Sequence, residues 1–192
     1  MKAHTILYIL SIIIFSANCL RIIYRGEWQH LRPIITSMEY EYTTASFALL
    51  YQTGGPSCFD EATCIARVKS IVESNMNEWG QIVFNYLIGG NGYVYEGSGF
   101  YEKIYFLRSL KYKCVTIAFI GDYTVDMPPK SARKSLEELL EFARDFQYLR
   151  RDFILLSSSQ VEYNDEGPDS DTNLPSDKID YHSNWNNSTL SI

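Results

Sequence analysis

The chain has 192 residues, 46% of them hydrophobic, with 17 Lys and Arg against 23 Asp and Glu and a formal charge of −6. That length suits a single domain with a sizeable core. The acidic balance argues against nucleic acid and against anionic membrane surfaces as partners.

The first 19 residues have the layout of a signal peptide. Lys2 gives a weakly positive start, residues 6–15 form a ten-residue mostly apolar core, and Ala17-Asn18-Cys19 offers small residues for cleavage. Ten apolar residues are too few to span a bilayer, which needs about twenty. A membrane-tethered chain with an uncleaved signal-anchor is the competing reading. We expect a secreted chain: residues 1–19 as signal peptide and 20–192 as one domain. Loss of Lys2 leaves 16 Lys and Arg against 23 Asp and Glu, a formal −7.

Trp28 is expected to cover a core edge. Residues 46–52 form an apolar run between Thr-Thr and Gly-Gly and predict a buried strand. Asp60 is placed to cap a helix in which Ile65, Val68, Ile71, Val72 and Met76 recur at helical spacing. Cys58 and Cys64, the latter in that helix's first turn, are close enough to bridge in an oxidising compartment. Cys114 is then left odd, and is read as a small buried hydrophobe in a covered strand over residues 114–121.

Two runs rich in β-branched and aromatic residues flank Gly89-Gly90-Asn91-Gly92 and predict a hairpin, with the glycines supplying positive φ. Strict alternation would put Val83, Asn85 and Leu87 on one face and Phe84, Tyr86 and Ile88 on the other. A second helix is expected after Pro128-Pro129, with Ala132, Leu136, Leu139, Leu140, Ala143 and Phe146 as its stripe. Residues 152–156 read as a further short strand. From Glu162 the chain turns acidic and polar, with a last amphipathic segment around Ile179, Tyr181 and Trp185. Asn186 and Asn187 begin overlapping N-glycosylation sequons. Strands interleaved with sizeable helices point to an α/β architecture with a central mixed β-sheet flanked by helices.

The words Phe84-Asn85-Tyr86-Leu87-Ile88-Gly89-Gly90, Tyr95-Glu96-Gly97 and Phe119-Ile120-Gly121, with Cys58-x5-Cys64, stand in a particular order and spacing. They resemble the signature of peptidoglycan recognition proteins from about Ile22 to Trp185, and specifically an insect-type, non-catalytic member. The resemblance implies a bacteriophage-type amidase-like fold with three helices and an open groove. Catalytic members use zinc to cut the bond between muramic acid and the first peptide residue.

That chemistry needs three protein ligands and an open position for an activated water. Where the family strand ends Ile-His-His-Thr, this chain has Leu50-Tyr51-Gln52-Thr53, so the first ligand position holds Tyr51. The second falls on Ser158, the assisting threonine on Asn164, the ligand cysteine on Glu166, and the assisting tyrosine on Phe84. The only histidines beyond the leader are His30 and His182, far from these stretches. The reading is therefore no catalytic residues, no zinc, no cofactor and no amidase activity.

Binding is a separate matter. Gly-Arg-Gly-Trp of the family reads Gly97-Ser98-Gly99-Phe100 here, which removes a guanidinium able to pair with stem-peptide carboxylates. Thr53, Asn85, Tyr86, Tyr95, Glu96, Phe100, Tyr101 and Gln160 remain as candidates to line a groove for peptidoglycan or a muropeptide. The apolar Ile104-Tyr105-Phe106 equally suits contact with another recognition protein, so a decoy or regulatory partner that never touches glycan stays open. Lysine-type and diaminopimelate-type peptidoglycan are not distinguished.

Overall fold

In the computed structural model the described residues are 20–29, 44–101 and 114–157. Among them are six strands and three helices: β1 (Ile22–Ile23), α1 (Arg25–Trp28), β2 (Ala45–Gln52), α2 (Glu61–Trp79), β3 (Tyr86–Ile88), β4 (Val94–Glu96), β5 (Cys114–Phe119), α3 (Lys130–Asp145) and β6 (Leu149–Ser157). The strands form one mixed sheet in the order β1-β4-β3-β5-β2-β6, in which only the β3–β4 hairpin is antiparallel. Parallel strands need crossovers, and the long helices supply them while covering both faces. No helix among the described residues is long and apolar enough to cross a membrane.

The period-2 alternation of each strand builds two cores. Ala48 and Leu50 of β2, Tyr86 and Ile88 of β3, Val94 of β4, and Val115, Ile117 and Phe119 of β5 pack on Ala132, Leu136, Leu139, Leu140 and Ala143 of α3. On the opposite face Leu87, Tyr95 and Ala118 pack on Cys64, Val68 and Val72 of α2, with Trp28 sealing the β1 end. Both helices carry the apolar stripe that the sequence predicts, except at their ends. Met76 is 39% exposed and Phe146, just past the last turn of α3, is 60% exposed.

Helix α2 starts where Asp60 accepts a hydrogen bond from Thr63 N–H at 2.8 Å, and it stops at left-handed Gly80. The same Thr63 contacts hold the Asp60 carboxyl below its usual pKa. Cys58 and Cys64 form the expected disulfide, which fastens the preceding loop to the first turn of α2. Cys114 is unbridged and packs beside Leu49, Leu156, Phe47 and Tyr51.

Two readings of the hairpin are corrected. Of Gly89, Gly90 and Gly92 only Gly92 takes a positive φ, 81°. The first two are needed for space: a Cβ on Gly89 would stand 2.7 Å from Cys64 Sγ, and one on Gly90 2.7 Å from the Cys58 carbonyl oxygen. The alternation also breaks before β3. Phe84 lies with Val83 and Leu87 on the α2 side, whereas Tyr86 and Ile88 face α3. Regular pairing begins only at Tyr86, because the Asn85 carbonyl accepts from both Gly97 N–H and Gly99 N–H, an irregular closure that re-aims the neighbouring side chains.

Candidate functional site

Tyr51, expected at the first metal-ligand position, lies at the C-terminal end of β2, and Phe84, expected at that of the assisting tyrosine, lies just ahead of β3. The fold brings the two together. The rings of Tyr51 and Phe84 lie 5.6 Å apart, tilted by 57°, and both belong to the apolar layer against α2. A phenol packed on a phenyl ring is a poor donor set for zinc, which takes imidazole, thiolate or carboxylate. Ser158, Asn164, Glu166 and Gln160 lie outside the described residues, as do Tyr105, Phe106, His30, His182, Asn186, Asn187 and the segment around Ile179, Tyr181 and Trp185. Among the described residues no group of three or more His, Cys, Asp or Glu could hold a metal ion.

Beside Tyr51, Thr53 ties two loops together. Its N–H donates to the Phe119 carbonyl at 2.9 Å, and its Oγ1 accepts from Gly121 N–H at 3.1 Å. The neighbouring Gln52 accepts from Tyr123 N–H through Oε1 at 2.6 Å. The end of β2 is thus held by polar contacts to the loop that follows β5.

Asn85 is 3% exposed and its amide is fully engaged. Oδ1 accepts from Thr116 N–H at 2.7 Å and from Thr116 Oγ1 at 3.0 Å. Nδ2 donates to Ser98 Oγ at 3.2 Å and to the Gly99 carbonyl at 2.5 Å. Thr116 Oγ1 also reaches the Val83 carbonyl at 2.9 Å, and Ser98 Oγ the Phe84 carbonyl at 3.3 Å. This closed network joins the start of β3, the middle of β5 and the exit of the hairpin. Asn85 and Ser98 stand inside the protein as a polar pin, not on a groove floor.

Tyr95 is also internal, its hydroxyl accepting from Asn91 Nδ2 at 2.9 Å, and burial holds its phenol above the usual pKa. Glu96 is half-buried. Its Oε2 accepts from Arg25 N–H at 2.9 Å and so caps α1, while its carbonyl accepts from Trp28 Nε1 at 3.0 Å.

The remaining candidates gather on the α3 side. Phe100 lies between Tyr86, 4.6 Å away, and Tyr148, with which it stacks at 4.2 Å and 7°. Tyr101 meets Tyr148 edge-on, and their hydroxyls share a hydrogen bond of 2.7 Å. The candidates expected to share one floor are therefore divided between the two sheet faces. Tyr95 lies in the α2-side layer with Tyr51 and Phe84, whereas Tyr86, Phe100 and Tyr101 lie across the sheet.

Sequence reasoning missed Thr116 and Tyr148. Thr116 had a signal, as the one polar side chain in an otherwise apolar covered strand. Tyr148 had none, because its partner Phe100 is remote in the chain.

No protein-family model matches the chain. Over 166 residues it is 31% identical to peptidoglycan-recognition protein 1 of Holotrichia diomphalia, covering 84% of this chain and 78% of that protein. Over 144 residues it is 34% identical to peptidoglycan-recognition protein SD of Drosophila melanogaster, covering 73% and 76% respectively. The crystal structure of the Drosophila protein SD superposes with a TM-score of 0.69 at 30% identity, over 76% of this chain and 87% of that one. Sequence words, disulfide, mixed sheet and relatives agree, and the chain belongs to the peptidoglycan-recognition protein family.

Proposed function

We propose that this chain is a secreted, non-catalytic member of the family, which binds bacterial peptidoglycan or modulates its sensing in innate immunity. The observation that carries the non-catalytic reading is the packed pair of Tyr51 and Phe84 at two positions that catalytic members use for metal chemistry. A half-buried tyrosine ring packed on a buried phenyl ring contributes to packing and is a poor metal ligand. Secretion is supported by the leader-like first 19 residues and by the Cys58–Cys64 bridge, which persists in oxidising compartments. Peptidoglycan as ligand is supported by the relatives, which are named for its recognition.

The test is a titration of the mature chain with muropeptides, read by backbone amide shifts and paired with metal analysis. Saturable shifts around Tyr51, Thr53 and Phe84 with no stoichiometric zinc are expected. One equivalent of tightly held zinc together with release of stem peptide from cell walls would overturn the non-catalytic reading. Muropeptides that leave every amide unmoved would overturn the ligand, and would favour a regulator that contacts other recognition proteins only.

A further inference from the structure

Arg67 stands on α2 three residues after Cys64, half-buried, and its guanidinium makes no hydrogen bond or ion pair with any described residue. Its Nε is buried without an acceptor. A group that carries a fixed charge and several N–H donors is costly to hold partly out of water with nothing to accept from it. The helix itself offers no compensation. The residues three and four positions away are Thr63, Cys64, Ser70 and Ile71, none of them acidic. Glu61, in the first turn of α2, is taken by Arg21 at 2.9 Å.

The guanidinium is laid over the turn that leaves β2. A Cβ added to Gly55 would stand 3.0 Å from Arg67 Nη2, so glycine keeps free the space that the side chain fills. Gly54 and Gly55 both take a φ of 67°, and a Cβ on Gly54 would meet nothing within 4 Å. The turn is therefore open beside the charge, and Gly55 is exposed. Both of its ends are fixed. At one, Thr53 is bonded to the Phe119 carbonyl and to Gly121 N–H. At the other, Cys58 is bridged to Cys64, on the same helix as Arg67. A cation with no counter-charge among the described residues is thus held against an anchored, open turn.

We propose that Arg67, over this turn, is the seat of a peptide carboxylate, and the proposal rests on the peptidoglycan reading in taking the stem peptide as its source. A carboxylate matches the fork of a guanidinium with two parallel hydrogen bonds, and one unpaired positive charge calls for one negative charge. A phosphate, which carries nearly two charges, is matched less well by a single cation. The turn begins two residues after Tyr51, so a carboxylate held there adjoins the surface where muropeptide shifts are expected.

The full mature chain is titrated with acetyl-alanyl-alanine, its terminal amide, inorganic phosphate and a muropeptide ending in a free carboxylate. Backbone amides and the Nε–Hε signal of Arg67 are the readout. Saturable shifts at Gly54, Gly55 and Arg67 are expected with the free dipeptide and the muropeptide, and not with the amide or phosphate. Arg67→Gln removes the charge and should weaken both ligands by about tenfold or more. Arg67→Lys, which keeps the charge without the fork, should fall between. An unchanged melting temperature in each variant separates a lost contact from a lost fold.

Equal binding of the amide, tighter binding of phosphate, wild-type affinity in Arg67→Gln, or no shift at Arg67 with either carboxylate ligand would overturn the proposal. A muropeptide that binds with shifts at Tyr51 and Phe84 alone sinks the carboxylate seat and leaves the peptidoglycan reading standing. Dipeptide binding at Arg67 with a muropeptide that moves no amide removes the stem peptide as source and sinks the peptidoglycan reading.

Discussion

Replacing Asn85 by alanine separates scaffold from groove at the centre of the molecule. The substitution strands Thr116 N–H and the Gly99 carbonyl, whose side-chain partner is the same amide, whereas Thr116 Oγ1 keeps the Val83 carbonyl and the backbone N–H of residue 85. A buried polar group that loses its partner costs about 1–3 kcal/mol, so two such groups plus the small void predict a loss on the order of 3–5 kcal/mol. For a chain of this size each kcal/mol moves the melting temperature by roughly 2–4 °C, which puts the expected fall near 10 °C. Urea and thermal unfolding followed by far-ultraviolet circular dichroism give the magnitude, and hydrogen exchange at the Thr116 amide gives the location.

Asn85→Asp adds a check of sign. The new carboxylate keeps the acceptor toward Thr116 but can donate to the Gly99 carbonyl only when protonated, so its folded-state pKa must rise above the unfolded value of about 3.9. Stability is then greatest below that pH and is lost as pH rises through the folded pKa. An Asn85→Ala loss below about 1 kcal/mol, with Thr116 exchanging no faster, would refute the reasoning and return the amide to the candidate ligand groups.

Three further outcomes follow from the same structure. The Cys58→Ser/Cys64→Ser pair should lose about 2 kcal/mol, because the bridge closes a span of only six residues, and chemical denaturation measures it. Gly89→Ala should cost about 1–3 kcal/mol through collision with Cys64 Sγ and Asn91 Oδ1, read as a lower urea midpoint. Burial pushes the Cys114 thiol up to about 12, so a thiol reagent at pH 8 should label it slowly in the native chain and rapidly once unfolded. Because that folded pKa lies above the ordinary thiol value, its stabilising contribution should fade as pH rises from about 8.5 toward 12.

Much of the fold was legible along the chain because its causes are local. Asp60 three residues ahead of Thr63 specifies a helix start, and the 3.6-residue stripe from Ala132 to Ala143 specifies which side of α3 is buried. Cys58 and Cys64 lie near enough in sequence for their bridge to be read directly. The residues read at the metal-ligand and assisting-tyrosine positions, Tyr51 and Phe84, are likewise plain without coordinates.

Which side chains share a surface was decided only in three dimensions. The irregular closure at Asn85 shifts the face count by one, which separates Phe84 from Tyr86 and sends Phe100 and Tyr101 across the sheet from Tyr51. Thr116 reaches Asn85 from 31 residues away, and Tyr101 meets Tyr148 across 47. No periodic pattern encodes contacts of that range, because they depend on sheet order and on a single irregular step in the ladder. By itself the sequence determined most of the elements and the disulfide. The tertiary structure decided that Tyr51 and Phe84 pack as neighbours, that Asn85 is a core pin, and that Tyr86 and Phe100 pack together on the other face.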